Sequence, residues 1–393
     1  MIDVKTAQEL VLLHSSITVK TLEVGLNNAL DYVLAKDVIS KIDMPPFRQS
    51  AMDGYALNVG NDTTYNVIGE VKAGDNNNLQ LSAGEAVRIF TGAPVPDTAN
   101  TVIMQEKVFV DGNQITIDAK VNTNINIRPK GEQIQVNDIA LAKGTTIKGA
   151  HIGFLASLGV TTITAYEKPS IAIVVTGNEL VAPGNVLSFG EIYESNGAML
   201  TAVLKELGYI KILMVAVKDD YDSTKKILKE TIEHHDVVIV TGGVSVGDYD
   251  FVGKALNEIA VEEVFYKVKQ KPGKPLFFGK KGQTSIFGLP GNPAAALSCF
   301  YIYVYPLLKK SEGATTTQLQ RILIPMVSDY IVKGDRAQFL KAKIQKDGVK
   351  ILEGQSSAMV RAFGEANALV FIPENNAQIK KGQMVKTILL PNK

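Results

Sequence analysis

The sequence predicts a multidomain protein of the α/β plus β class. From Ser170 onward, uninterrupted apolar runs at 171–175, 212–217 and 237–240 alternate with helical stretches at 195–207 and 222–234. Strands alternating with helices imply a parallel sheet with right-handed crossovers. On either side of that block, at 47–139 and after Gly313, short apolar runs alternate instead with Gly, Asn and Asp turns, the pattern of small β units. The 393 residues are too many for one core, and about two to four domains are expected from that length.

Taken in order, residues 5–40 show helical periodicity. Leu10, Val11 and Leu13 form one apolar set; Leu26, Leu30, Val33 and Leu34 form a second. Pro45 and Pro46 end the pattern, because proline cannot continue a helix. The runs at 65–68, 87–90, 102–104 and 114–117 follow, with Gly74-Asp75 and Asp111-Gly112 as turn signals. A Lys- and Gly-spaced segment at 141–149 then leads to an apolar helix at 151–158, closed by Gly159. A β unit between two helical stretches reads as an insertion. The expected division is therefore 1–46 with 140–168, an inserted β domain at 47–139, an α/β domain at 169–312, and a β domain or barrel at 313–393. The last contains runs at 322–327, 339–344, 349–352, 368–372 and 385–390.

Composition excludes several classes. A formal net charge of +1 gives no electrostatic case for nucleic acid or for a membrane surface. No apolar run approaches a membrane span, and the N-terminus lacks a basic-then-apolar leader, so a cytoplasmic location is expected. The one cysteine, Cys299, allows no intrachain disulfide and reads as a small buried hydrophobe on the helix after Asn292. None of the four histidines has metal-ligand spacing.

The candidate site lies in 236–296. Two apolar runs, 237–240 and 285–287, each enter a glycine turn, one holding Gly242 and Gly243, the other Gly288 and Gly291. The second turn opens a helix with Asn292 as N-cap and Pro293 at the first helical position, where a missing N–H costs nothing. Open α/β sheets bind ligands at the C-terminal ends of their strands, and glycine turns present backbone N–H groups to anions. Either turn alone would read as a chain reversal. Two of them, with Lys271 and Lys274 between, read as a site for a phosphorylated ligand. Segments mixing glycine, small residues and carboxylates add candidates: 50–55 with Asp53, 91–94 with Thr91, 128–132, 176–180 with Glu179, Asp219-Asp220, and 247–250 with Asp250. Carboxylates beside an anion-binding turn make sense if a divalent metal bridges them to phosphate. No Walker sequence and no GxGxxG is present, against ordinary nucleotide-binding loops.

The strings PPFRQSAMDGYAL, VRIFTGAPVP, VIMQE, IRPKGE, VVTGNEL, IYESN, VTGGVSVGDYD, KPGKP and GLPGNP occur in this order. Together they resemble the MoeA family of molybdopterin molybdenumtransferases, related to the E domain of gephyrin, over nearly the whole chain. GLPGNP with TGGVS is shared with MogA-type adenylyltransferases; SAMDGYA with TGAP is far more specific. The resemblance implies an elongated N-terminal dimerisation domain with an inserted β domain, a MogA-like parallel-sheet domain and a C-terminal β-barrel. It implies insertion of molybdate into adenylylated molybdopterin with release of AMP, assisted by Mg²⁺, in a homodimer with its cleft between subunits. It also implies exchange with a MogA-type adenylyltransferase and with molybdoenzyme chaperones. Carried over by motif, Asp53, Thr91, Glu179 and Asp250 are the catalytic candidates. Gly242, Gly243, Ser245, Lys271, Lys274, Pro290, Gly291, Asn292 and Pro293 are the substrate-binding ones, and Asp219, Asp220, Glu179 and Asp250 the metal ligands. The chain departs from the family at Arg48-Gln49, where Asp-Asn is frequent, and at Gln133, where a second acid is common. The rival functions are a MogA-like adenylyltransferase and a gephyrin-like scaffold without catalysis.

Overall fold

The computed structural model describes residues 1–15, 20–76, 78–117, 121–218, 220–243, 251–376 and 378–391. Its α/β block runs β1 Ile171–Thr176, α1 Asn196–Glu206, β2 Ile212–Val217, α2 Tyr221–His234, β3 Val237–Thr241, α3 Phe251–Glu258, β4 Glu262–Tyr266, β5 Phe277–Lys281, β6 Thr284–Leu289 and α4 Pro293–Cys299. The six strands lie in the order β2-β1-β3-β6-β5-β4. The first four are parallel; β6-β5 and β5-β4 are antiparallel. The expected parallel sheet thus carries an antiparallel edge. Gly282, at φ +58°, turns β5 straight back into β6, and so short a link cannot cross over.

All residues of β1 and β3 are buried. Ile171, Ile173 and Val175 face a core shared with Leu200 and Leu204 of α1, while Ala172 and Val174 face Leu228 of α2 and Val252 of α3. Burial on both faces is why these strands read as continuous apolar runs rather than as alternation. The helix begun by α4 passes through a π turn, Phe300–Val304, and ends in Tyr305–Ser311.

The N-terminal segment divides differently from the sequence expectation. The helix Val4–Leu13 buries Val4, Ala7 and Val11 in the α/β core, and Ile2 exchanges backbone hydrogen bonds with Lys267 and Lys269. The second apolar set forms no α-helix. Thr21–Gly25 is a strand paired with Thr162–Tyr166, followed by one turn of 3-10 helix, Leu26–Asn28. Gly25, Asn27 and Asn28 are poor helix formers, and Asp31 turns with φ +62°. The apolar spacing instead packs Val24, Leu26 and Leu34 onto Ile147, Leu155 and Ile163.

The inserted unit enters and leaves along one antiparallel ribbon. Its rungs are Leu141–Val38, Ile139–Ile39, Met44–Ile134, Gln49–Arg128 and Ser50–Ile127. Beyond the ribbon lies a six-stranded sheet, ordered Thr101–Met104, Gly54–Leu57, Glu85–Ile89, Thr64–Val71, Gln114–Ile117, Val108–Asp111. The C-terminal unit pairs Arg321–Pro325, Met384–Leu389, Ala368–Ile372 and Ala337–Gln345, the last also with Gly348–Ile351. Gln270–Lys271 joins this sheet parallel to Ala337–Gln345, so the segment carrying Lys271 is stitched to both units. Among the described residues no helix is long and apolar enough to cross a membrane.

Gly54 sits where a Cβ would lie 1.8 Å from the carbonyl oxygen of Ile103 on the neighbouring strand. Gly54→Ala must push the edge strand Thr101–Met104 away from its neighbour Gly54–Leu57. We expect a loss on the order of 2 kcal/mol, as for overpacked cores, read as a lower denaturant midpoint. An unchanged midpoint would mean that the strands separate freely there.

Candidate active-site crevice

β1 is followed by α1 on one face of the sheet and β2 by α2 on the other, which puts the topological switch point between β1 and β3. A crevice of about 490 Å³ opens there. Its wall holds Glu179, Gly242, Gly243, Pro290, Gly291, Asn292 and Pro293, together with Thr176, Glu194, Asn196, Thr241, Pro275 and Ala358.

The glycines are there because the backbones nearly touch. A Cβ on Gly242 (φ +87°) would lie 2.1 Å from the Thr176 carbonyl oxygen, and one on Gly243 (φ +60°) 2.6 Å from Thr176 Oγ1. A Cβ on Gly291 would come 3.7 Å from the Gly242 Cα, so the two predicted turns meet. Asn196 Nδ2 ties them, donating to Thr241 Oγ1 (2.8 Å) and to the Gly291 carbonyl (2.7 Å). With its amide fixed that way, Asn196 Oδ1 is buried without a partner, as is Thr176 Oγ1. Unsatisfied buried polar atoms are costly and mark a place where a ligand or water completes them. The Glu194 carboxylate accepts from Gly197 N (2.7 Å), which holds the start of α1. Thr176 opens the 176–180 segment that the sequence flagged; Glu194, Asn196 and Thr241 fall within the IYESN and VTGGVSVGDYD strings but were not named as site residues.

Asn292 does occupy the position before α4, and its carbonyl accepts from Ala295 N and Ala296 N. Its side chain turns away from the helix and donates to Ser357 Oγ at 2.9 Å. Ala295 N also donates to the Ser357 carbonyl, at 3.1 Å. A C-terminal loop therefore forms one wall of the crevice. Lys271 and Lys274 are exposed and do not line it; their loop reaches it through Pro275. Beneath that loop the buried Gln270 donates Nε2 to Gly273 O (2.9 Å) and accepts from Tyr303 Oη, the π turn supplying the tyrosine.

Asp53 and Thr91 meet elsewhere, on the inserted unit. Thr91 donates both its N–H and its Oγ1 to Asp53 Oδ1, each at 2.7 Å. The backbone N–H first, then the hydroxyl, hold the exposed Asp53 carboxyl below the usual aspartate range. Gln49 Nε2 donates to Gly92 O (3.1 Å), and the Arg48 guanidinium goes to the carbonyls of Ala99 and Pro96. Gln49 thus braces the turn around Thr91, and Arg48 the 96–99 segment that follows it.

Asp220 is the N-cap of α2, accepting from Ser223 N at 2.9 Å, and it does not line the crevice. Asp219, Ser245 and Asp250 lie outside the described residues. Among the described residues no group of three His, Cys, Asp or Glu could hold a metal ion.

The switch-point crevice, the two glycine turns and the flanking β units define a multidomain protein built around an α/β ligand-binding domain. The comparisons agree. Residues 2–159 match the MoeA N-terminal region (domains I and II), 172–310 the probable molybdopterin binding domain, and 324–390 the MoeA C-terminal region (domain IV). A molybdopterin molybdenumtransferase from Staphylococcus aureus strain Mu50 is 33% identical over 378 residues, covering 93% of this chain and 90% of that protein. One from Staphylococcus epidermidis is 32% identical over 391 residues, with 96% and 93% covered. The crystal structure of the molybdopterin biosynthesis moeA protein from Pyrococcus horikoshii OT3 superposes with a TM-score of 0.87 at 27% identity, covering 99% of this chain and 100% of that one. The chain belongs to the MoeA family of molybdopterin molybdenumtransferases.

Thr91→Val removes one of the two donors to Asp53 and keeps the backbone one. The Asp53 pKa then rises toward its ordinary value without reaching it, in a carboxyl-carbon NMR titration. The wild-type pair stabilises the fold above the unfolded aspartate pKa near 4 and loses that contribution as pH falls through the lower folded value. The variant therefore differs least in stability at the acid end. An Asp53 pKa unmoved by the substitution would deny the hydroxyl its role.

Proposed function

We propose that the protein inserts molybdate into adenylylated molybdopterin and releases AMP, acting in molybdenum-cofactor biosynthesis. The observation that carries this is the crevice itself, where paired glycine turns, a carboxylate at Glu179 and unpartnered acceptor atoms meet at the switch point of the sheet. Such turns suit a pyrophosphate. Cleavage of the pyrophosphate link consumes one water and frees AMP, while the two dithiolene sulfurs replace two oxygens of molybdate, which take up protons and leave as two waters. Lys271 and Lys274, exposed beside the crevice, supply positive charge for the oxyanion. Mg²⁺ would sit at Glu179 with carboxylates beyond the described residues, polarising the bridging phosphates. The C-terminal unit is read as a barrel, on the support of the Met326–Val349 bridge that ties its two edges. The test is AMP release from adenylylated molybdopterin. We expect it only with molybdate and Mg²⁺ both present. AMP release without oxyanion would show hydrolysis uncoupled from metal insertion and deny the proposed reaction, and adenylylation of free molybdopterin by ATP would favour a MogA-like adenylyltransferase.

We further propose a homodimer whose sites are shared. Asp53 and Thr91 stand on the inserted unit, whereas Glu179 lines the crevice, and among the described residues no hydrogen bond or ion pair joins the two. A second copy can bring them together. Asp53→Ala and Glu179→Ala should each be inactive alone. Refolded together, about half of randomly mixed dimers are heterodimers with one intact site, so about one quarter of sites should recover. Separately refolded and merely combined dimers are the control. Recovery absent from the co-refolded sample would place both residues in the same chain's site.

A further inference from the structure

Lys341 lies on the strand Ala337–Gln345, is only 2% exposed, and points into the loop at 352–359. Its ammonium donates to the carbonyls of Gly354 (2.7 Å), Met359 (3.0 Å) and Ser356 (3.1 Å). A lysine has three donors, and here each goes to a carbonyl oxygen of one loop. Gln355 completes the clasp: its Oε1 accepts from Lys341 N (3.0 Å) and its Nε2 donates to Lys341 O (2.8 Å). Burial holds the ammonium pKa below the usual lysine value, so the cation is kept at a cost that the carbonyls must offset. The held loop is the one that forms the crevice wall. Ser357 Oγ accepts from Asn292, the Ser357 carbonyl accepts from Ala295 N, and Ala358 lines the crevice.

We propose that Lys341 is a positioning residue, a buried cation that shapes the 354–359 loop so that Ser357 and Ala358 close the crevice against the start of α4. The loop has no regular backbone pairing of its own to fix it. Three carbonyls converging on one ammonium set its path from outside, and its far side then meets Asn292 in a single register. Removing the charge leaves the Gly354 and Met359 carbonyls without that donor and the Ser356 carbonyl with only its turn bond from Met359 N (3.2 Å), and frees the loop to turn them to solvent. The effect on a ligand would reach the crevice only through Ser357 and Ala358.

The claim rests on the reading that the crevice binds the adenylylated substrate, and two measurements separate them. Hydrogen exchange on the full chain follows 354–362, with 171–176 and 237–241 as internal reference, in wild type, Lys341→Met and Lys341→Arg. Calorimetry with AMP as the probe follows the crevice. In Lys341→Met we expect loop exchange to rise about tenfold while the reference strands hold, because opening becomes local. AMP affinity should fall about tenfold, and Lys341→Arg, which keeps charge and donors, should restore most of both. A folded Lys341→Met with wild-type loop exchange overturns the proposal. If wild type itself fails to bind AMP, the functional reading loses support, and the exchange data still decide on Lys341. Should Lys341→Met not fold, Ser357→Ala tests the same coupling. It must speed exchange over 354–362 and weaken AMP, and wild-type behaviour in both would sink the idea.

Discussion

The structure turns on a close approach of backbone to backbone. At the C-terminal ends of β1 and β3, the Gly242-Gly243 turn lies so near Thr176 that a Cβ on Gly242 would stand 2.1 Å from a carbonyl oxygen. The helices that follow the parallel neighbours β1 and β3 pack on opposite faces of the sheet, and that arrangement opens the crevice between them. Glycine fits both the positive φ and the missing space. Every other wall of the site is referred to this point. Asn196 reaches from α1 to bridge Thr241 and Gly291, and Asn292 holds the C-terminal loop against the same turn.

The inserted unit follows a different logic. Its entry and exit strands zip together from Val38 and Leu141 outward, so the β sheet beyond is presented as one body on a paired stalk. Asp53 and Thr91 lie beside the last rungs of that stalk, joined by two short hydrogen bonds to one carboxylate oxygen. Among the described residues no hydrogen bond from the α/β domain reaches that pair. Its order comes from Gly54, which lets neighbouring strands close up, and from Gln49, which braces the turn after Thr91.

Legibility followed the range of the interaction. The runs at 171–175 and 237–240 announced buried parallel strands because burial on both faces erases alternation. The glycine turns were visible because glycine is the local solution to a local strain. The segment at 21–34 misled because three-to-four spacing of apolar residues also serves a strand and a turn packed on the helix Gly149–Ser157. The antiparallel edge depended on a two-residue reversal at Gly282 that periodicity does not register. Asn196 could not be read as part of the site, because its partners stand 45 and 95 residues away. Lys341 likewise looks like an ordinary strand lysine until the loop around it is seen.

The polar groups under the crevice share one physical feature. Asn196, Gln270 and Lys341 are all nearly inaccessible, at 8%, 1% and 2% exposure, and an apolar residue at any of these places would avoid their desolvation cost. Each instead takes backbone carbonyls as acceptors: Gly291 for Asn196, Gly273 for Gln270, and Gly354, Ser356 and Met359 for Lys341. The acceptors all belong to irregular segments that reach the crevice. Irregular backbone has carbonyls that no ladder or helix satisfies, and a buried donor both satisfies them and fixes their direction. Loops left to solvent could satisfy those carbonyls with water in many conformations. A donor embedded in strand or helix permits one, and transfers the rigidity of the packed core to the loops that a ligand would meet.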